Sequence, residues 1–328
     1  LSALGHEPGL VAASWVVDTA PDPGTRLAAE VHGHAGHAAP PLARQVMAEV
    51  VASYPAGSSE NTAYLAVTYS GPGISRRSRR PEAVLAEVTR RVPGLIAGIA
   101  ASGAGTVEPL GEPDLAEVAR VAYDPACATS LAEARFHRSG SQLRWAQCGP
   151  VATQEAWDSY RHDSGVSATW SMTAPPAGAV PCEVLGPLLA PHPDFVRKRV
   201  TLIYRPHAPA RVATIAERDV QTAAFTADGG RGRVTAAATQ RIRATERSAA
   251  EVAEGAGVTR FALLVTVTVA ADADLPQAAT TVENLAATSR LRLRRCYGTQ
   301  AAAFAATLPL GFVPWRHTTI PDSVRELL

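Results

Sequence analysis

One stretch limits the architecture more than any other. Residues 259–269 (Thr-Arg-Phe-Ala-Leu-Leu-Val-Thr-Val-Thr-Val) alternate like a strand, yet they read as apolar on both faces. A strand of that kind belongs in the middle of a sheet with a layer packed over each side. The segments around it supply such layers. Residues 197–205 read as a strand with Val200, Leu202 and Tyr204 on one face. Two helices follow, 208–225 and 234–254, joined by a turn at Gly229-Gly230-Arg231-Gly232. The second has a polar, arginine-rich exterior and few large apolar residues, so the pair reads as a helical hairpin projecting from the body. After the doubly covered strand, Asp274 reads as the N-cap of a helix lined by Ala278, Val282 and Leu285. A closing strand is expected over 291–296.

The first third repeats the order. Strands are expected at 11–19, 62–69 and 105–110. Helices are expected at 40–54, with Leu42, Val46 and Val50 in one stripe, and at 81–101. The second helix carries the i, i+3, i+4 pattern of a buried face through Val84, Leu85, Val88, Val92, Leu95, Ile96 and Ile99. The expected fold class is therefore α+β: tandem split β-α-β (ferredoxin-like) units with a projecting helical hairpin. The expected boundaries are 1–125 for the first unit and 126–193 for an irregular bridge with one strand near 166–173. The second unit takes 194–328, with the hairpin at 208–254. Trp145, Trp157 and Trp170 read as core anchors.

Composition removes whole classes of chemistry. Of 31 basic residues only one, Lys198, is a lysine. A phosphate-cradling P-loop needs a lysine directly after its glycine loop, and Lys198 follows Phe195-Val196-Arg197 instead. P-loop ATP hydrolysis is thus excluded, and routes to a Schiff base are few. A net charge of +1 gives no global field to gather nucleic acid or anionic membrane. Cys127, Cys148, Cys182 and Cys296 form no C-x-x-C pair, which excludes a zinc ribbon and suits a reduced, cytosolic setting. The longest apolar runs, 261–271 and 301–310, are too short to span a bilayer, which takes about 20 residues. The start at Leu1 reads as a cut-out domain or a processed form, with any membrane anchor upstream.

Few residues suggest a site. His32, His34 and His37 form the best metal candidate, but the spacing matches no ligand motif and a solvated loop is the expectation. Ser159, His162, Asp163 and Ser164 lie close in sequence without implying a triad. Glu246, Glu251 and Glu254 read as salt-bridged helix-face residues. No catalytic, cofactor or metal residue is assigned. The candidate interaction residues are arginines. Arg76, Arg77, Arg79 and Arg80 crowd a loop entering a helix, where they could meet phosphate, acidic headgroups or an acidic partner. Arg231, Arg233 and Arg241 lie at and beyond the hairpin tip. Arg292 and Arg294 share one face of the closing strand, opposite Leu293 and Arg295.

The run Thr281-Val282-Glu283-Asn284-Leu285, then Arg292 to Tyr297, then Gln300-Ala-Ala-Ala-Phe304-Ala-Ala-Thr-Leu308-Pro309-Leu310-Gly311 resembles the end of the N-terminal domain of type IV secretion ATPases of the TraC/TrbE/CagE class. With Ser70-Gly-Pro-Gly-Ile-Ser-Arg-Arg and Trp157-Asp-Ser-Tyr-Arg-His-Asp-Ser, the chain also resembles stand-alone conjugation-associated membrane proteins of high-GC Gram-positive bacteria. Their upstream region is hydrophobic and they have no motor. The resemblance covers the final ~130 residues well and the first third by topology. It implies a non-catalytic adaptor on the cytoplasmic side of the cell membrane. Its partners would be a separate secretion ATPase motor, other channel subunits and further copies of itself. The alternatives are a type VII-like secretion accessory protein, a metal-dependent enzyme using the histidine loop, and a single-stranded nucleic-acid-binding module.

Overall fold

The doubly covered strand is where the sequence pattern places it. In the computed structural model, β7 (Thr259–Ala270) lies in an eight-stranded sheet and is buried from Leu263 to Val269. The structure describes residues 9–22, 24–25, 27, 31, 39–53, 58–69, 81–136, 143–174, 181–207, 209–228, 236–254 and 259–317. The other strands are β1 (Leu10–Pro21), β2 (Ser59–Tyr69), β3 (Thr153–Glu155), β4 (Tyr160–His162), β5 (Gly165–Ala174), β6 (Arg197–Pro206) and β8 (Arg292–Arg295). Their order is β2-β1-β6-β7-β5-β4-β3, with β8 beside the second half of β5, and every pair is antiparallel. The chain is thus of mixed α+β class.

One face of the sheet is aliphatic. Ala168 and Trp170 of β5, Val200 of β6 and Val265, Val267 and Val269 of β7 pack there. Two segments cover them: the short helix α5 (Gly186–Leu189) with Leu188, and α8 (Leu275–Thr288) with Ala278, Ala279, Val282 and Ala286. The alanines let α8 lie close to the strands. Asp274 caps it as expected, its carboxylate accepting from the Gln277 N–H at 3.2 Å. The other face is rich in threonine and serine. It is covered by α3 (Glu112–Tyr123), by α9 (Gln300–Ala306) and by the segment after α9. A further helix, α4 (Ala128–Phe136), follows α3.

The strand directions show how the chain is wound. β5 and β6 are both antiparallel to β7, which lies between them, and the connection through α5 joins the pair. β7 and β8 likewise flank β5 and are joined through α8. β1 and β2 then extend the sheet beyond β6. β5, expected in the bridge, is therefore a central strand.

Three expectations differ from the structure. Residues 105–110 form no strand. The helix α2 (Pro81–Ile99) runs into a short π-helical turn, Gly103 and Gly105 take positive φ, and the chain reaches α3 exposed and unpaired. The apolar stripes of α1 (Pro41–Ser53) and α2 are not closed over: Leu42 is 72% and Leu85 67% exposed, and the rest of the α2 stripe is half-buried. Periodicity marks which face of a helix is apolar, not whether another element covers it. Of the three tryptophans only Trp170 is in the core. Trp145 and Trp157 are exposed, Trp157 stacking on Tyr297 with ring centres 6.1 Å apart. Gly298 fits beneath that indole because it has no Cβ, at a positive φ that favours glycine.

The helical hairpin matches its expectation. It consists of α6 (Pro209–Asp228) and α7 (Ala236–Ala253) and grows from the ends of β6 and β7, which stay paired as far as Pro206 and Thr259. The two helices pack chiefly on each other, and Phe225 is 81% exposed. Hairpin and sheet core should therefore be energetically separate. Replacing 209–254 by a short Asn-Gly turn should leave the thermal midpoint within a few degrees. Val265→Ala in the core should instead cost about 2 kcal/mol in urea denaturation.

Candidate functional site

The chain spends three consecutive cations on the start of β6. Arg197, Lys198 and Arg199 alternate across the strand, so the two arginines enter the Thr/Ser face and the lysine enters the aliphatic face. Lys198 and Arg199 are each 1% exposed. Burying a charge demands a partner, and the three find different ones.

Arg197 is held by Asp18 of β1. Its Nε and Nη2 donate to the carboxylate at 2.8 and 2.6 Å in a forked pair, and Asp18 is itself 3% exposed. Burial works against the guanidinium charge, but Asp18 outweighs it and holds the arginine above its ordinary pKa. Arg199 lies directly across the ladder from Asp18. Burial brings it down to about 10, opposed by the attraction of Asp18 and reinforced by the repulsion of Arg197. It remains charged at neutral pH. Its guanidinium stacks over Phe304 at 4.5 Å, and its Nε donates to Thr307 Oγ1 at 3.4 Å. Its two terminal nitrogens have no hydrogen-bond partner among the described residues. Lys198 donates to the Ala190 carbonyl and lies 5.7 Å from the centre of the Phe195 ring. Burial alone lowers it to about 8.

Around Arg199 the Thr/Ser face is a connected polar layer. Thr169 donates to Thr266, Thr266 to Thr307 and Thr307 to the Phe304 carbonyl, while Thr201 donates to the Thr307 carbonyl. Gln300 fills the gap along β5 between β4 and β8. Its Oε1 accepts from the Thr169 N–H at 2.8 Å, and its Nε2 donates to the Cys296 carbonyl at 2.9 Å. Gln300, Phe304 and Leu308 are all essentially buried, so the large residues of the Gln-to-Gly segment form the lid over this layer.

His162 completes the layer at the β4 end. Its Nδ1–H donates to the Tyr123 carbonyl at 2.6 Å, which leaves Nε2 to accept from the Ser167 hydroxyl at 2.7 Å; Ser167 also pairs with Thr268. The contacts resemble a nucleophile and its base. Both residues are 0% exposed, and Ser167 is enclosed by His162 and Thr268, so the pair is structural. Burial drives His162 down to about 4. The next residues, Asp163 and Ser164, make the β4–β5 turn. Asp163 takes a positive φ and accepts from the Val151 and Ala152 N–H groups, and Arg120 bridges Asp163 and Asp124.

The arginines singled out from sequence fare unevenly. Arg292 and Arg294 are exposed on one face of β8, and Arg295 turns the other way, 5.2 Å over Trp170 and 3.3 Å from Asp158. Arg76, Arg77, Arg79, Arg80, Arg231 and Arg233 lie outside the described residues, as does the side chain of Arg241 in α7. His32, His34 and His37 also lie outside them. Among the described residues no group of three His, Cys, Asp or Glu side chains could hold a metal ion, and no helix is long and apolar enough to cross a membrane. Sequence reasoning passed over Asp18, Arg199 and Gln300. The one available signal was Arg-Lys-Arg opening a strand, since alternation must send at least one of the three inward. No protein-family model matches the chain, and no curated protein matches it.

Two outcomes follow from this geometry. Asp18→Ala leaves two guanidinium groups without their shared carboxylate and should cost about 3–5 kcal/mol, whereas Asp18→Leu combined with Arg197→Met should recover much of it in chemical denaturation. His162 has a folded-state pKa below its unfolded value, so between pH 6.5 and 4 the unfolded chain takes up a proton that the folded chain refuses. Stability should therefore fall as pH drops through that window, by about 2–3 kcal/mol between pH 7 and 4.5. That portion of the pH dependence should be missing in His162→Gln.

Proposed function

We propose that the chain is a non-catalytic adaptor of a conjugative, type IV secretion-like DNA-transfer apparatus. It would dock a separate ATPase motor at the cytoplasmic side of the cell membrane. The observation that carries this reading is that helices with large exposed apolar side chains start from one end of the sheet. The hairpin α6–α7 leaves the end of β6 at Pro206, and the neighbouring register places the start of β1 and the end of β2 at that same end. α2 follows β2 there, and its Arg91 lies 5.8 Å over the Tyr69 ring. Leu85 of α2 and Phe225 of α6 are both largely exposed. Large apolar side chains left uncovered on helices are the usual raw material of a protein interface.

The sheet supports a refinement of the expected tandem units. β5, β6, β7 and β8 lie in the order β8-β5-β7-β6, with both crossovers packed on the aliphatic face. We read them as one split β-α-β-β-α-β unit of the ferredoxin-like kind. The hairpin is inserted between its second and third strands, and β1 and β2 are added at its edge. The segment resembling the secretion ATPases then spans the end of that unit and the lid laid across it. The exposed Arg292–Arg294 pair favours a second reading, contact with single-stranded nucleic acid, whose signature is steep salt dependence.

The adaptor reading is tested by co-purification with a type IV secretion-like motor ATPase co-expressed with the chain. The intact chain should retain the motor. The chain with 209–254 replaced by a short turn should lose it while keeping its thermal midpoint. Equal retention by both, or no retention by the intact chain, would falsify this role for the hairpin.

A further inference from the structure

Lys198 stands apart from the other buried cations. Arg197 has a carboxylate and Arg199 has an aromatic face, but the ammonium of Lys198 has one backbone carbonyl and a ring at van der Waals range. Burial is what lowers its pKa, and among the described residues no carboxylate pairs with it. An ammonium taken out of water without a counter-charge is costly unless something else neutralises it. The surrounding charge makes the imbalance larger. Asp18 is the single buried carboxylate among the described residues to set against Arg197, Lys198 and Arg199, and it is committed to Arg197 on the opposite face.

Lys198 also lines a cleft. It opens at the corner of the sheet between the end of β1 (Thr19, Ala20, Pro21), the start of β2 (Ser59) and the segment leading into β6 (His192, Phe195, Val196). Its empty space is about 190 Å³, mouth included. Among the described residues no acidic side chain lines it. The Thr19 hydroxyl is spent on Asn61 Oδ1 at 2.6 Å. Ser59 brings a second hydroxyl to the lining. His192 Nδ1 accepts from the Asp194 N–H at 3.3 Å, which leaves Nε2 as the nitrogen that carries a proton and can donate. The cleft thus offers an ammonium, a hydroxyl and an imidazole N–H, framed by Phe195 and Pro21; the carboxylate of Asp194 lies on the Nδ1 side of His192, 3.8 Å away, and accepts from the Thr281 hydroxyl at 2.6 Å. Donors of this kind around a positive charge recognise a charged oxygen acceptor. Most of that space is open mouth, so the cleft takes at most one oxygen-bearing group, entering from outside, and excludes anything as large as a nucleotide.

We propose that the cleft over Lys198 binds a single oxyanion group, carboxylate or phosphate, seated on the ammonium with Ser59 and His192 as flanking donors. The site lies on the aliphatic side of the sheet and does not depend on the adaptor reading. The ligand supplies the counter-charge that the fold omits, so its binding stabilises the native chain by mass action.

The test is thermal unfolding at pH 7 and fixed ionic strength with sodium acetate or sodium phosphate as the probe, on the wild-type chain, Lys198→Met and Ser59→Ala. The wild-type midpoint should rise and saturate with at least one of the two anions, and the one that saturates at lower concentration identifies the oxyanion. Lys198→Met should unfold no earlier than wild type in the absence of anion and should need at least tenfold more anion for the same shift. Ser59→Ala, at an exposed position, should weaken the response at least threefold, and it carries the test if Lys198→Met fails to fold. A midpoint that does not saturate with either anion, or a response identical in wild type and the variants, overturns the proposal.

Discussion

The contact on which the sheet depends is the carboxylate of Asp18 between two buried guanidinium groups. β1 and β6 are distant in the sequence, 179 residues apart at Asp18 and Arg197. Nothing in the local propensity of either strand requires them to pair. Once Arg197 and Arg199 are drawn inward by the alternation of β6, Asp18 must lie beside them, and a one-residue slip of β1 would send it to the aliphatic face. The ion pair therefore fixes register more than it adds stability, since the desolvation of such groups consumes most of their attraction. β2 then takes its own register from β1.

The same strand divides the molecule into two kinds of interior. On one face of β6 and β7, valine and leucine meet the small residues of α8 in dispersion contact. On the other, hydroxyls and amides form a directional network that ends on Arg199 and His162. The Gln300–Leu308 segment roofs this second interior. Gln300 supplies the hydrogen bonds that a strand would have made beside Thr169, Phe304 covers the guanidinium, and Thr307 accepts from its Nε. The residues behind the resemblance to secretion ATPase domains thus have a physical task here: they close the polar layer.

Much of the fold was legible because it was written in periodicity. The double covering of β7, the hairpin of α6 and α7 and the Asp274 cap all follow from local pattern, and all are present. What was hidden was relational. The stripe of α2 looked like a buried face because seven apolar residues align, yet burial depends on a neighbour that periodicity does not name. β5 read as a strand in an irregular bridge because its partners β7 and β8 lie about a hundred residues away in sequence. The cluster from Ser159 to Ser164 could be judged only by burial. The arrangement around Arg199 was hidden for the same reason, since an arginine on a strand looks the same whether it faces water or Phe304.

One consequence of the lone lysine reaches beyond the cleft. The chain carries a single ε-amine, and the fold encloses it. Acetyl, methyl or ubiquitin-type groups, which are attached to lysine from outside, find no exposed acceptor on this segment. Its outward positive charge is carried by guanidinium alone, which stays ionised at every physiological pH. A surface of this composition holds its charge pattern constant. Control of its contacts by covalent marking would have to act on side chains other than lysine, such as arginine, where methylation keeps the charge but blocks the forked hydrogen bond, or on the partner.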